Sequence, residues 1–187
     1  YGLFAGWGSF GGCNFWYGNT ALSTAESHIF GLYGSVSRSM DVVAANAPFY
    51  LIVRSAGNDR NDVSPGLVHA HNSTSCGTTF NDAHGNDGQN GGFDCIQDGK
   101  TAKNVLTVGA LNDNGTTQTS FSNWGPTDDG RIKPDICANG ASLTSSESAA
   151  DDAYGPKSGT SMASPSVAGS CALLQEHAFD ELGGFLR

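Results

Sequence analysis

Two short runs constrain the fold of this chain more than any other feature. Phe49-Tyr50-Leu51-Ile52-Val53 and Val105-Leu106-Thr107-Val108-Gly109-Ala110 are nearly continuous apolar stretches, with no regular polar alternation. A strand that is apolar at successive positions has both faces buried, as in parallel sheets covered by helices on each side. Helical patterning accompanies them. Between Ala21 and Ala45 the residues Leu22, Ile29, Leu32, Tyr33, Val36, Met40 and Val43 recur near helical spacing, and Pro48 then stops the helix. Met162, Val167, Ala168, Cys171, Leu174 and Ala178 predict a second, mostly buried helix from Ser161 to Phe179. Strand, helix, strand, helix implies an α/β fold with a parallel sheet and right-handed crossovers. Gly2 to Ala5 reads as a strand entering a glycine-rich turn at 6–12. Thr119 to Ser122 reads as a short strand, and Ile132 to Ile136 as an extended segment interrupted by Pro134.

The 187 residues suit one domain, and 26 glycines with 14% charged residues suggest many loops and tight turns. A net charge of −9 disfavours nucleic acid as a partner, because no basic patch could neutralise phosphates. No apolar run is long enough to cross a membrane, and the first residues do not resemble a signal peptide. Without an initiator Met, the chain reads as an excerpt. Of five cysteines, Cys76 and Cys95 bracket a Gly/Asn/Asp-rich loop that a disulfide between them could close; an unpaired solvated loop is the alternative. Cys137 and Cys171 lie in apolar contexts and read as small core residues.

The chemistry concentrates at Ser158-Gly159-Thr160-Ser161-Met162-Ala163-Ser164-Pro165. A serine at the start of a helix meets free N–H groups and partial positive charge, which favour a developing anion. The plain alternative is an N-cap. The α/β-hydrolase nucleophile pattern G-x-S-x-G is not met, because Ala163 stands where the second glycine would be. The second block, Ser55-Ala56-Gly57-Asn58, follows the first apolar run, where ligands bind in parallel sheets. Asn58 offers an amide donor there; a simple turn is the bland reading.

Together these blocks resemble the subtilase family of serine peptidases. The octapeptide matches that family's nucleophile motif without departure. The resemblance implies an incomplete, parallel-sheet, three-layer α/β sandwich of the subtilisin type. Residues 1–187 would then be the C-terminal portion of one peptidase domain, with the N-terminal part absent and a loop insertion around 61–98. It implies Ser161 as nucleophile and Asn58 as oxyanion donor, partnered by the backbone N–H of Ser161. Ser55, Ala56 and Gly57 join Asn58 in the oxyanion block. Gly6, Trp7 and Gly8 resemble the segment that pairs with substrate backbone, departing at Gly6, where the family commonly has serine. Lys103 to Ala110, Phe121 to Pro126 and Lys133 to Gly140 resemble architectural blocks.

The family's Asp and His motifs do not occur in these residues. Ser161 is a weak nucleophile without a base, so the chain alone is expected to be nearly inactive and to need the missing half of its domain as partner. Among the histidines, His28 reads as a half-exposed helical residue. His69 and His71 form an H-x-H pair, read as loop solvation with metal ligation as the alternative. His84 lies in the acidic loop, and His177 near a helix C-terminus. No metal ligands are assigned and no cofactor is required; Asp82, Asp87, Asp94 and Asp98 leave calcium possible. The expected activity is that of a secreted or cell-surface endopeptidase acting on proteins or peptides. A non-catalytic subtilase-like binding or scaffold domain is the alternative. A sedolisin-type acid peptidase fits less well, since its oxyanion residue is Asp.

Overall fold

A computed structural model of the protein describes residues 6–10, 12–64, 68–71 and 79–183. The elements in order are β1 (Trp7–Phe10), β2 (Cys13–Trp16), α1 (Ser35–Asn46), β3 (Ile52–Ser55), β4 (Val68–His71), β5 (Phe80–Asn81), α2 (Gln89–Gly92), β6 (Val105–Leu111), β7 (Ile136–Asn139), β8 (Leu143–Ser146), β9 (Tyr154–Lys157) and α3 (Thr160–Leu182).

The two apolar runs pair in parallel, but the first enters the sheet only at Ile52; Phe49, Tyr50 and Leu51, expected inside a buried strand, precede it and are exposed, because no layer among the described residues covers them. β3 lies parallel to β6 with Ile52 opposite Val105, and β6 lies parallel to β7 with Val108 opposite Ile136. Alternation along the strands sets the layers. Leu106, Val108 and Ala110 of β6 and Val53 of β3 pack with Ala163, Val167 and Cys171 of α3. The residue after Val53 points the other way, and the Arg54 guanidinium reaches Met40 Sδ of α1 at 3.3 Å. The sheet is therefore sandwiched between α3 and α1, an α/β three-layer arrangement. Two further β groups flank it. One is the sheet β1-β2-β4-β5, and the other is the antiparallel β8–β9 hairpin.

Several expectations fail for identifiable reasons. The first helix starts at Ser35 instead of near Ala21, because residues 19–34 form turns and Phe30 bridges to Gln97. Its N-terminus is capped from afar. Asp98 accepts from the N–H groups of Gly34, Val36 and Ser37 at 3.0, 3.2 and 2.9 Å. This satisfies helix donors that no nearby side chain reaches. The apolar residues Leu22 to Leu32 mimic helical periodicity while serving turns. His28 consequently lies in a turn, half-buried.

The glycine-rich segment 6–12 is largely strand: β1 and β2 form a hairpin with Trp7 opposite Trp16. Around Thr119 only an isolated bridge forms, between Leu111 and Gln118. The third strand of the central sheet starts at Ile136, and Ile132 is 85% exposed. Gly2 to Ala5 lies outside the described residues.

α3 is not mostly buried. Ala163 and Val167 face the core, whereas Ala168, Ala172, Leu173 and Leu174 are exposed. Phe49, Leu51, Ala168, Cys171 and Ala172 line an open apolar groove between β3 and this face.

The cysteine reading also needs correction. Cys95 is a free thiol, fully buried, and burial pushes it up to about 12. It packs against Phe30 and accepts from the Trp124 N–H at 3.2 Å. Cys13 is the disulfide-bonded cysteine among the described residues; Cys76 lies outside them. Cys137 and Cys171 are free and half-buried, and Cys171 packs on the core.

Candidate active site

The C-terminal end of β3 and the N-terminal end of α3 meet at one buried side chain. Thr160 is fully buried, and its hydroxyl oxygen accepts the Gly57 N–H at 3.2 Å. It also donates to Asn58 Oδ1 at 3.0 Å, while the Thr160 backbone N–H donates to the same oxygen at 2.9 Å. A backbone N–H can only donate, so the acceptor end of the Asn58 amide must face Thr160. The Asn58 Nδ2 group therefore points away, on an exposed residue, with both of its protons available.

Gly57 makes the approach possible. Its φ is +112°, and a Cβ there would come 2.4 Å from Asn123 Nδ2. Ala56 and Gly57 are buried, so what they offer a ligand is backbone. Ser161 is the second residue of α3 and exposed. Its N–H belongs to the first helical turn, where donors lack intrahelical partners and the helix dipole favours negative charge. The loop thus sets beside one another a hydroxyl, a free-facing amide and a helix-terminal N–H. Thr160 holds this arrangement. Nothing in the sequence marks it, because the role of a threonine before Ser161 depends on the residue it faces.

β1 brings Trp7, Gly8 and Ser9 to a cleft shared with Asn61, Asp62 and Val63. The departure at Gly6 has a structural reason. Asp87 is buried, and its two carboxylate oxygens accept the Trp7 N–H at 3.0 and 2.9 Å. Gly6 has φ +65°, and a Cβ there would stand 2.0 Å from Asp87 Oδ1. A serine at this position would displace the carboxylate. Gly6→Ala is accordingly expected to destabilise the fold by about 1–3 kcal/mol through overpacking and a left-handed backbone. A lower urea midpoint at unchanged slope would show it.

Burial raises the Asp87 carboxyl to about 8, outweighing the Trp7 hydrogen bonds, with the charges of Asp59 and Asp62 adding to the rise. Burial, helped by Asp59, raises Asp62 to about 6. Both folded values exceed the unfolded one. The native state therefore holds more protons, and stability falls as pH rises. From Asp87 that loss runs between about pH 4 and pH 8. Thermal midpoints measured across this range should drop less steeply in Asp87→Asn than in the parent.

The acidic loop does not assemble its four aspartates. Asp98 caps α1, Asp87 holds Trp7, and Asp82 lies among histidines. Asp94 takes φ +58°. The expected solvation of the H-x-H pair fails, since His69 is 1% exposed and His71 is half-buried; His84, in the same loop, is 7% exposed. These three gather around Asp82 rather than Ser161. His177 sits exposed on α3.

A model of the subtilase family, peptidase S8, matches residues 7–184, and the chain belongs to that family of serine peptidases. Over 62 residues it is 52% identical to C5a peptidase of Streptococcus pyogenes, a match covering 33% of this chain and 5% of that protein. It is 30% identical over 158 residues to subtilisin-like protease 1 of Pseudogymnoascus destructans, covering 84% of this chain and 34% of the relative. Among solved structures, the self-cleaved protease domain of PatA matches with a TM-score of 0.53 at 25% identity. That match spans 83% of this chain and 44% of the other. The matched region is less than half the length of each of these relatives. Among the described residues, no helix is long and apolar enough to cross a membrane.

Proposed function

We propose that this chain supplies the nucleophile and the oxyanion-binding half of a serine endopeptidase site. The observation that carries the reading is the Thr160 bridge, which holds Asn58 beside Ser161 with its amide donor turned outward. Ser161 Oγ attacks the carbonyl carbon of a peptide bond as its proton passes to a base. The Asn58 Nδ2 group and the Ser161 N–H receive the charge that builds on the carbonyl oxygen. Collapse expels the amine and leaves an ester on Ser161, which water then cleaves.

The base is a histidine oriented by an aspartate, both supplied from outside residues 1–187. The partial span of the relatives supports this reading, as does the exposed apolar face of α3 with Phe49 and Leu51, which the remainder of the domain would cover. Gly6, Trp7 and Gly8 pair with substrate backbone, and Ser55, Ala56 and Gly57 wall the site. Proteins or peptides are the substrates, no cofactor enters the chemistry, and the enzyme acts outside the cell or at its surface. Assaying the natural protein on a peptide library tests the reading. Hydrolysis abolished by a fluorophosphonate supports it, and inert protein or fluorophosphonate-resistant hydrolysis overturns it.

A further inference from the structure

The insertion around 61–98 folds three histidines and one aspartate about a common point. His69 and His71 lie on β4, and Asp82 and His84 follow β5. The Nε2 atoms of His69 and His71 are 3.0 Å apart, and those of His71 and His84 are 3.1 Å apart. Asp82 Oδ1 lies 3.3 Å from each of the first two, and its Oδ2 lies 3.2 Å from His84 Nε2. All four ligand atoms fall within 4.8 Å of one another. Ligands held ~2.0–2.1 Å from a tetrahedral zinc stand about 3.3 Å apart, and the close contacts here run from 3.0 to 3.3 Å.

Protons alone serve this cluster poorly. His84 Nδ1 is 2.6 Å from the Thr24 carbonyl oxygen, so that nitrogen carries the proton. A neutral His84 then turns a lone pair to the centre. One Nε2 proton on His71 can point at only one of its two imidazole neighbours. The other N···N contact is left without a hydrogen bond unless a buried ring is charged. A cation at the centre satisfies every lone pair at once. The Thr24 contact is also the kind of outer hydrogen bond that orients a metal-bound imidazole. Packing holds the rings in place: Trp16 stacks on His84 at 3.6 Å between centroids, and Trp7 meets His69 edge-on at 4.8 Å.

We propose that His69, His71, Asp82 and His84 form a binding site for a divalent transition metal ion, zinc by ligand type and spacing. Four protein ligands leave no open position, so the ion is structural. It fastens the insertion to β2, and through Trp7, whose indole N–H donates to the Gly85 carbonyl at 2.7 Å, to the strand bearing Trp7 and Gly8.

The test uses the natural protein, stripped with a chelator and titrated with cobalt(II) chloride. The expected result is the visible absorption of tetrahedral cobalt, saturating at one equivalent per chain. Zinc chloride should displace it and raise the thermal midpoint, while magnesium chloride should not. His84→Gln and Asp82→Asn should each lose the absorption, and His177→Gln should keep it. If a buried variant fails to fold, the parent titration and the half-buried His71→Gln still decide. No tetrahedral absorption in the parent, or absorption unchanged in a folded His71→Gln, would overturn the site and leave a cluster held by protons alone.

Discussion

Ser161→Ala in the natural protein is expected to lower kcat for peptide hydrolysis by about 10⁶, a scale set by subtilisin itself and not by the present geometry. The physical reason is the loss of the covalent route. With no hydroxyl at the head of α3, a peptide carbonyl can still rest against Asn58 and the helix N-terminus, but only water can attack it. KM should therefore move little. Fold stability should also hold, because Ser161 is exposed and its hydroxyl makes no side-chain hydrogen bond among the described residues. Ser166→Ala, five residues further along α3 and equally exposed, removes only a 3.4 Å bond to the Met162 carbonyl and should leave kcat intact. Steady-state kinetics of the two variants side by side check both statements. Equal losses in the two would mean that the helix, and not the hydroxyl, matters.

Asn58→Ala should reduce kcat by about 10²–10³, the magnitude known for the oxyanion asparagine of subtilisin. The effect should fall on kcat and spare KM, since the amide bonds the oxygen most strongly once it carries charge. The geometry adds a further expectation. Thr160→Val removes the hydroxyl that holds Asn58 Oδ1 while keeping the backbone donor. The amide can then turn, and kcat should fall by less than in Asn58→Ala. The double variant should lose no more than Asn58→Ala alone, because Thr160 acts through Asn58. Additive losses in the double variant would show that Thr160 serves the site by another route.

The central sheet and α3 were legible because their signals are local. Residues 105–110 are apolar at nearly every position, and β6 is buried on both faces. The serine block was legible because a short loop fixes it. What the sequence concealed depends on distant partners. The start of α1 is set by Asp98, more than sixty residues away, so periodicity alone extended the helix back through turns. Cys95 resembled a loop-closing cysteine, but its surroundings are Phe30 and the Trp124 backbone. Gly6 departs from the family's common serine, and the reason is remote: Asp87 occupies the space a side chain there would take. The H-x-H pair is visible in the sequence. Its neighbours Asp82 and His84 lie on the far side of a turn and gave no hint of convergence. In each of these cases a side chain acquires its role from a residue remote along the chain.

In the proposed reading Ser161 sits beside its oxyanion donors and needs only a base from outside residues 1–187. Labelling with a fluorophosphonate, followed by peptide mass mapping, tests it most directly when the natural protein and isolated residues 1–187 are treated in parallel. A single adduct, on Ser161, is expected in the natural protein and none on the isolated chain. An adduct on Ser161 of the isolated chain, or an adduct of the natural protein at any other residue, would contradict it.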